Sequence, residues 1–456
     1  LDKDNDAQEA FNMIDYFKRN GVLVKELKED SGNYKKGDLV VDMAQAKRGY
    51  ANHVLYKGSN ESKWAAMYAE LVVNFPDMKG FKAQPVFGDK LFEGKLGEVT
   101  ALRAARTSQV DHKAPYYVIA NTSESAVKAV NQALAEGKKV YLTDDGYIVD
   151  TPTFTSLLDR YAIYGDALYK IPLGPILKPL KVYAPPHQFS WAGVDAPAHT
   201  ALALKNMGFE IVDRPEDADV IVLESNNYDK SLVGLKPTIV VGGSAMQRLE
   251  KLGILDGFDA ERFKNGSDYE GLMKAVIQDQ DPLTSGYKKD GLFYSNSGNW
   301  IAKIPANFRT LASIAGSDFY IAGWWPSNEQ LANKVVAIAG TYKEQPLFVY
   351  AGNPTNRLHP VHFYRWISNA IFGSQLAELT DLPSPAAPDP TYQAPSQTVL
   401  DWKPATVNPP AQTVVLTYKS QTLPQTGSQE KTASFALAGL LIAGAAGLLL
   451  LKKKED

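Results

Sequence analysis

Residues 238–252 read Thr-Ile-Val-Val-Gly-Gly-Ser-Ala-Met-Gln-Arg-Leu-Glu-Lys-Leu, and this stretch decides the fold class. The β-branched run Thr238–Val241 predicts a buried strand, the two glycines predict a tight turn, and the amphipathic pattern of Met246–Leu252 predicts a helix. A buried strand that turns directly into a helix is typical of parallel α/β sheets. The stretch therefore predicts a parallel sheet covered by helices.

The same alternation extends to both sides of this stretch, over residues 181–376. Short apolar segments predict strands, and amphipathic segments between them predict helices, which favours helices on both faces of the sheet. We therefore assign residues 181–376 to one α/β domain. The further predicted strands are Lys181–Ala184, Val220–Leu223 and Leu347–Ala351, and the further predicted helices are Ala196–Met207 and Val361–Phe372.

Residues 1–180 contain a faint internal repeat. Each copy predicts an amphipathic helix, a glycine that ends it and a strand, followed by a second short strand at Asp38–Asp42 or Gly146–Asp150. We interpret residues 1–180 as tandem small α/β modules. Ala10, Ile14, Asp15, Gly21 and Val24 match Ala126, Val130, Asn131, Gly137 and Val140 in order and spacing.

The C-terminal residues 423–456 combine three signals in a fixed order. The pentapeptide Leu423-Pro424-Gln425-Thr426-Gly427 is followed by the uncharged apolar run 433–451 and then by Lys452-Lys453-Lys454. The apolar run approaches the ~20 residues that cross a bilayer as a helix. The lysines are expected to stop transfer and to stay in the cytoplasm, which places everything before residue 433 outside the membrane.

This arrangement resembles the sorting signal of sortase substrates in Gram-positive bacteria. The resemblance implies cleavage between Thr426 and Gly427 by a thiolate nucleophile and transfer of the Thr426 carboxyl group to an amine of peptidoglycan. Sortase and peptidoglycan are then partners, and residues 433–451 lie in the plasma membrane before sorting. The expected location is the cell surface, with covalent attachment to the wall. An ordinary single-pass anchor with a chance motif is the alternative.

A proline-rich segment, residues 377–422, precedes the sorting signal. Frequent prolines prevent helices and central strands and favour a stiff, extended chain that rises ~3.1 Å per residue. Such a segment could span on the order of 100 Å of wall. Its prolines are Pro383, Pro385, Pro388, Pro390, Pro395, Pro404, Pro409 and Pro410.

Composition narrows the function classes. The 456 residues are 45% hydrophobic, with 48 Lys and Arg against 51 Asp and Glu, so no charge excess points to nucleic acid. The absence of cysteine excludes disulfides, zinc-cysteine sites and thiol nucleophiles. The chain opens Leu1-Asp2-Lys3-Asp4, without Met or the apolar segment of an export signal. We therefore expect it to be a fragment, the C-terminal part of a longer secreted precursor.

Six segments in chain order carry a second resemblance: Ala10–Val24, Asp38–Val41, Ala126–Val140, Asp281–Tyr287, Tyr320–Trp324 and Phe348–Phe372. Together they resemble the region that follows the catalytic domain in large bacterial zinc carboxypeptidases of the M14 type, over about residues 4–373. The resemblance implies that residues 181–376 form a flavodoxin-like domain similar to class I glutamine amidotransferases. It also implies a zinc-dependent protease domain upstream of Leu1, which alone would bind peptide substrates.

The chemistry of that family does not carry over to this chain. An M14 zinc site needs a His-x-x-Glu pair and a later His. None of the six histidines has Glu three positions later. The resemblance therefore implies a non-catalytic chain without a cofactor, with zinc in the missing N-terminal domain. His359 and His362, separated by Pro360, are interpreted as histidines at a helix start and at the surface rather than as metal ligands.

Ser244 is the one candidate for catalysis in this chain. It follows a strand and a glycine turn, where amidotransferases and α/β-hydrolases place their nucleophile. Amidotransferases use cysteine there, and a serine needs a positioned base such as His187, His199 or His359. We favour capping of the following helix by Ser244 over catalysis. A Ser244-dependent hydrolase is kept as an alternative.

Trp324-Trp325 is the candidate binding pair. Aromatic side chains more often pack in the core, but this pair precedes Pro326 in a predicted loop and could stack on sugars or peptides of the wall. Such a surface would suit a free-standing binding or adhesion protein, which is the second alternative to a carboxypeptidase parent.

Overall fold

The computed structural model describes most of the chain before residue 377. The sorting signal, the apolar run 433–451, the basic tail and the proline-rich segment lie outside the described residues. Within the described ranges, no helix has the length and apolar character needed to cross a membrane. The described residues are 6–65, 74–87, 90–99, 110–170, 172, 174–189, 194–196, 199–264 and 269–376.

The first module, residues 6–99, has a small core of its own. Helix α1 begins where Asp6 accepts a hydrogen bond of 3.0 Å from the backbone N–H of Glu9, and its face with Met13, Ile14 and Phe17 is buried. Strand β1 pairs antiparallel with both β2 and β3. The elements are α1 Ala7–Arg19, β1 Lys25–Leu27, β2 Leu39–Val40, α2 Arg48–Leu55, α3 Phe75–Lys79 and β3 Leu96–Glu98. The remaining core residues are Val22, Val24, Ala51, Val54 and Phe81.

The second module, residues 110–170, is a four-stranded antiparallel sheet with two helices. Ser123 caps α4 and Asp150 caps α5, each by accepting a backbone hydrogen bond. The strand order is β5-β6-β4-β7. The elements are β4 Tyr116–Ala120, α4 Glu124–Ala135, β5 Tyr141–Thr143, β6 Gly146–Asp150, α5 Thr151–Leu158 and β7 Gly165–Leu168.

The two modules share a helix, a glycine and an antiparallel hairpin. Gly21 and Gly137 end the helices with φ of +77° and +71°, a conformation that favours glycine. The hairpins β1–β2 and β5–β6 follow. The rest of each sheet differs, because β1 is the central strand of its sheet whereas β5 lies at an edge.

Residues 181–376 build a sheet of twelve strands, and the prediction of an α/β fold is confirmed. In chain order the elements are β8 Lys181–Tyr183, β9 His187–Phe189, β10 Val194–Ala196, α6 His199–Asn206, β11 Glu210–Val212, β12 Val220–Leu223, β13 Thr238–Val241, α7 Gly243–Lys251, β14 Asp259–Arg262, β15 Glu270–Ile277, β16 Asp290–Ser295, β17 Asn299–Lys303, β18 Phe308–Ile314, β19 Tyr320–Trp324, β20 Val335–Tyr342, β21 Gln345–Tyr350 and α8 Arg365–Gly373. Strands β9 and β10 form a separate hairpin.

One half of the twelve-stranded sheet is parallel, in the order β11-β8-β12-β13-β21. Every residue of β12 and β13 is buried, so both faces of these strands are covered. Continuous apolar strands are typical of parallel sheets for this reason. The strands predicted at Val220–Leu223 and Thr238–Val241 are confirmed residue for residue.

The other half of the sheet is antiparallel and was not predicted. Strands β14–β20 lie in the chain between β13 and β21, and β20 pairs antiparallel with β21. An antiparallel hairpin needs no crossover helix, so the strand-helix alternation that revealed the parallel strands carries no signal for it. The expectation of a purely parallel sheet is therefore corrected to a mixed sheet.

Helix α8 joins the second module to the large sheet. All residues of α8 are buried. The Phe372 ring lies 5.6 Å from Tyr147 of the second module and 5.3 Å from Phe209 before β11. A single hydrophobic cluster runs through both parts. The predicted helix Val361–Phe372 is a short 3-10 turn, Val361–Phe363, followed by α8.

Candidate functional site

Strand β13 ends in the glycine turn that was predicted. Gly242 has φ +85°, and its backbone N–H donates to the carbonyl of Tyr350 over 2.9 Å. A Cβ atom on Gly243 would clash with Asn299 Nδ2, and one on Gly242 would lie 2.8 Å from Asn353 Nδ2. Glycine is needed at both positions because side-chain amides pack directly against the turn.

Ser244 is exposed and is the second residue of α7. The helix is capped by Gly242 without a side-chain hydrogen bond, so the prediction that Ser244 caps it is wrong. Ser244 is not among the non-glycine residues with positive φ in the described part of the chain, unlike a residue on a strained nucleophile turn. In that same part, no side-chain hydrogen bond links Ser244 to His199 or His359. The side chain of His187 lies outside the described set.

A histidine and a carboxylate lie together at the carboxyl edge of the parallel strands. Glu224 directly follows β12, and His199 begins α6. His199 Nδ1 lies 3.7 Å from Glu224 Oε1, and Glu224 Oε2 accepts a hydrogen bond of 2.9 Å from the backbone N–H of Thr200. The backbone N–H of Arg357 donates to His199 Nδ1 over 3.4 Å. The side chains of His199 and Glu224 are 37% and 16% exposed, so solvent reaches the pair.

Amides and hydroxyls continue this edge beside the glycine turn. Asn353 follows β21, and its Oδ1 accepts hydrogen bonds from Ser295 Oγ at 3.2 Å and Ser297 Oγ at 3.4 Å. Asn299 Nδ2 donates to Ser297 Oγ over 2.9 Å, and Gln247 Nε2 of α7 donates to Asn299 Oδ1 over 3.0 Å. The network is uncharged and fills the space above the turn.

A second chain of hydrogen bonds leads from this edge into the interior. Asn296 Nδ2 donates to Asn356 Oδ1 over 2.8 Å, and Asn356 Nδ2 donates to the Tyr294 hydroxyl over 2.9 Å. The Tyr294 hydroxyl in turn donates to Glu270 Oε1 over 3.0 Å. The buried carboxylate is thus linked to the partly exposed amides at the surface.

The backbone beside these amides adopts sparsely populated angles. Arg357 and Leu358 have φ of +49° and +62° in succession, although neither is glycine. Residues in this region cost of order 1–3 kcal/mol each and often mark ligand-binding segments. The carboxyl edge therefore combines one His-carboxylate pair, uncharged hydrogen-bonding groups and local strain. These groups suit the binding of a neutral polar molecule, and they include no activated nucleophile.

Sequence analysis did not identify most residues of this edge as candidates for a functional site. His199 was considered only as a base for Ser244, and Glu224 and Asn353 were not considered. A signal was present, because Glu224 comes directly after β12 and Asn353 comes shortly after β21. In open α/β sheets, ligands bind outside the carboxyl ends of the strands.

Of the two histidines near Pro360, His362 packs against other side chains of the fold. His362 Nδ1 lies 3.1 Å from Arg365 Nη2, and the ring packs edge-on against Tyr287 at 5.5 Å. Burial, with a smaller contribution from Arg365, holds the pKa of His362 well below its usual value. The expectation of a surface histidine is therefore wrong for His362. Among the described residues, no three His, Cys, Asp or Glu side chains are placed to hold a metal ion.

The expectation that Trp324 and Trp325 form an exposed binding pair is also wrong. Trp325 is fully buried and Trp324 is 9% exposed. Trp324 ends β19, and its Nε1 donates to the carbonyl of Trp64 over 3.0 Å, while Ser62 Oγ accepts from the backbone N–H of Trp325 over 3.1 Å. Trp324 thus belongs to a strand, and a segment of the first module is hydrogen-bonded to both tryptophans.

Comparison with known proteins identifies the C-terminal end of the chain. Residues 416–456 match the family model described as the LPXTG cell wall anchor motif. The match includes the predicted pentapeptide, the apolar run and the lysines. No curated protein matches the chain.

Several solved structures are similar to part of the chain. A putative GMP synthase protein from Thermoplasma acidophilum is 13% identical, with a TM-score of 0.29, covering 42% of this chain and 94% of that one. A putative ThuA-like protein from Parabacteroides merdae is 11% identical, with a TM-score of 0.28, covering 43% and 91%. A glutamine amidotransferase from Methylobacillus flagellatus is 12% identical, with a TM-score of 0.24, covering 42% and 95%. Scores this low carry no argument about this chain.

The anchor motif fixes the location of the protein. It implies processing by sortase and covalent attachment to peptidoglycan. The protein is a cell-wall-anchored surface protein of a Gram-positive bacterium.

Proposed function

We propose that this chain is the non-catalytic, wall-anchored part of an exported zinc carboxypeptidase of the M14 type, and that its folded residues connect the peptidase to the wall. The observation that carries the proposal is the place of the resembling segments in the fold. Three of them, Ala126–Val140, Asp281–Tyr287 and Phe348–Phe372, contribute to the joint between the second module and the large sheet, as expected for structural parts of a shared architecture.

The segment Asp281–Tyr287 illustrates this structural role. Asp281 is paired with the buried Arg309 at 2.7 Å, and its Oδ1 accepts from the backbone N–H of Leu283 over 2.9 Å. The carbonyl of Ser285 accepts hydrogen bonds from Asn121 Nδ2 at 3.1 Å and from Asn369 Nδ2 at 2.9 Å. The segment therefore links the second module to α8. The Asp281 carboxylate and the Ser285 carbonyl are both engaged in these contacts and do not face solvent.

Strand order supports the amidotransferase-like part of the proposal. If the parallel strands are numbered along the chain, the order β11-β8-β12-β13-β21 becomes 2-1-3-4-5. This is the order of flavodoxin-like sheets, in which ligands bind where the order reverses, here between β8 and β12. Glu224 and His199 lie on the connections at that point. We infer a degenerate amidotransferase-like domain, because serine and asparagine surround the turn where a cysteine would be required.

Zinc does not fit the described residues. A catalytic zinc needs three protein ligands, and no such group exists in this part of the chain. The proposal therefore assigns zinc and peptide hydrolysis to an upstream domain and derives no step of that chemistry here.

The native protein can test the proposed parent directly. It would be released from the wall with a wall hydrolase, captured with an antibody to residues 199–376, and measured for mass, zinc content and release of C-terminal amino acids from peptides. A species far larger than 50.0 kDa with bound zinc and carboxypeptidase activity supports the proposal. A metal-free species of about that mass would instead favour a free-standing surface protein.

Cleavage between Thr426 and Gly427 is the finer proposal for the anchor. Thr426→Ala keeps the backbone carbonyl at which the acyl-enzyme would form but removes the threonine side chain of the LPXTG motif. If sortase recognises that side chain, we expect wall-linked protein to be lost and the protein to remain in the membrane fraction. Immunoblots of wall and membrane fractions measure this. Thr422→Ala, just outside the pentapeptide, serves as the matched control and should leave wall attachment unchanged. Persistent wall linkage of the Thr426 variant would contradict the proposal.

A further inference from the structure

Within the described residues, strand β19 has one edge paired with β15 and a second edge that is reached by residues 58–64 of the first module, here called the strap. On this second edge, Asn60 forms a single parallel bridge with Gly323. The backbone N–H of Gly323 donates to the carbonyl of Ser59 over 3.0 Å, and the carbonyl of Gly323 accepts from the backbone N–H of Glu61 over 2.9 Å. Both backbone groups of Gly323 are thus bound by one extended tripeptide.

Three further hydrogen bonds continue the contact beyond this tripeptide. Ser62 Oγ accepts from the backbone N–H of Trp325 over 3.1 Å and from Asn328 Nδ2 over 2.9 Å. The carbonyl of Trp64 accepts from Trp324 Nε1 over 3.0 Å. The edge therefore binds backbone groups and one hydroxyl of the strap, as a sheet edge does when an extended peptide adds to it.

The strap is held by hydrogen bonds rather than by a hydrophobic core. None of its residues is buried, and Trp64 is 47% exposed. None of them belongs to the hydrophobic cluster of the first module or to that of the large sheet. Segments with exposed hydrogen bonds and few buried apolar contacts open locally, at a lower cost in free energy than global unfolding. We therefore expect the strap to leave the edge while both cores stay folded.

Gly58 sets how closely the strap approaches the edge. Its φ is +80°, an angle that favours glycine, and a Cβ atom at this position would clash with the Cβ atom of Ala322 in β19. The backbone angle and the close approach both exclude a side chain at this position. A substitution of Gly58 therefore disfavours the docked strap and leaves the residues of the edge itself unchanged.

We propose that the second edge of β19 is a binding site for an extended peptide, and that the strap is its resident occupant, which a peptide of the same chemistry replaces when the strap opens. The N–H and carbonyl of Gly323 recognise the extended backbone. The backbone N–H of Trp325 and the Asn328 amide recognise a serine or threonine hydroxyl at the position of Ser62. The site does not depend on the presence of a peptidase domain.

The strap competes with any added peptide, because it is tethered beside the edge. An added peptide finds a free edge only in the open fraction of molecules, so its apparent affinity is reduced by that fraction. A left-handed backbone angle costs a residue other than glycine enough to favour the open state by about tenfold. Gly58→Ala should therefore raise the apparent affinity for the peptide by about tenfold, and the clash with Ala322 adds to this increase.

Fluorescence polarisation with a labelled peptide of the sequence 57–65 tests the proposal on the full chain. We expect the peptide to bind Gly58→Ala about tenfold or more tightly than it binds the wild type. Gly94→Ala is the matched control, because Gly94 has φ +71° in the same module and nothing lies within 4 Å of its Cβ position. It should bind as the wild type does. A peptide with alanine in place of Ser62 should bind Gly58→Ala about tenfold more weakly, since two donors lose their acceptor.

A second variant and hydrogen exchange keep the test decisive. Ser62→Ala in the protein removes the hydroxyl acceptor without straining the backbone of the strap, and it should also bind the peptide more tightly than the wild type does. In both variants, amide exchange should become faster in the strap and at Gly323 but not in β13. Equal peptide affinity of the wild type, Gly58→Ala and Ser62→Ala would overturn the proposal. Binding that ignores the serine of the peptide, or exchange that rises equally in β13, would also overturn it.

Discussion

The two N-terminal modules begin with matching sequences and yet relate to the rest of the molecule in opposite ways. Asp15 of the first module is half-exposed and pairs with Arg19, whereas the matching Asn131 is buried and its Nδ2 donates to the carbonyl of Met207 over 2.9 Å. Ala126 is fully buried, but the matching Ala10 is only partly so. Both helices bury an apolar face, but matching positions at its border are buried in the second module and partly exposed in the first.

The two modules also differ in how their hydrophobic cores relate to the large sheet. The first module completes a small core by itself and adds Met78 of α3 to the shared core. It also meets the large sheet through edge contacts, such as the backbone hydrogen bonds of Ser59 and Glu61 with Gly323. The second module shares its core with the large sheet through α8. A shared apolar core should unfold as one unit, whereas polar contacts permit local opening.

The largest loss of folding stability is expected from Arg365→Ala. Arg365 is 1% exposed and donates to the carbonyls of Asn121 and Gly286, with its guanidinium 4.3 Å from the Tyr287 ring. The substitution leaves two buried carbonyls without this partner, so we expect a loss of about 3–5 kcal/mol in the free energy of unfolding. Urea unfolding followed by tryptophan fluorescence measures the loss.

The shape of that transition tests the shared core. If the second module and the large sheet unfold as one unit, both the wild type and the variant should show a single transition. The midpoint of the variant should lie at a lower urea concentration. Separate transitions for the two parts would contradict a shared core. Arg214→Ala, in which an exposed arginine paired with Asp217 is removed, is the control and should cost less than about 1 kcal/mol.

An intermediate loss of stability is expected when each of the matching positions Asp15 and Asn131 receives the residue type of the other. Asn131→Asp places a carboxylate against the Met207 carbonyl in a buried site, with an expected cost of about 2–3 kcal/mol at pH 7. Asp15→Asn removes one exposed ion pair and should change stability by less than about 0.5 kcal/mol. Denaturant midpoints compare the two. Equal costs would mean that the modules are embedded in the same way.

The smallest change in folding stability is expected from Ser244→Ala. Its exposed position near the start of α7, without a capping role, predicts a change in unfolding free energy within about 0.5 kcal/mol. A fluorophosphonate probe should label the wild type and the variant equally weakly. Labelling that depends on Ser244 would restore the hydrolase alternative and would require a base that the described residues do not place beside it.

The sequence predicted strands well where one strand is followed by one helix. Thr238–Val241 and Val220–Leu223 were located to the residue, because continuous apolar runs bounded by turn residues admit few other structures. It failed for β14–β20, where strands follow one another without helices. It also failed for Trp324 and Trp325, because their burial depends on residues 62–64, which are distant in the chain.

Sequence alone determined the location of the protein and the class of its fold. The sorting signal acts through contiguous residues that an enzyme and a membrane recognise in extended or helical form, so no tertiary contact is needed to identify it. Parallel strands and their helices are likewise specified by local periodicity. Only the tertiary structure decided which helix faces a shared core and which groups line the carboxyl edge. Those properties depend on residues far apart in the chain, whose proximity and loss of solvent are set by packing.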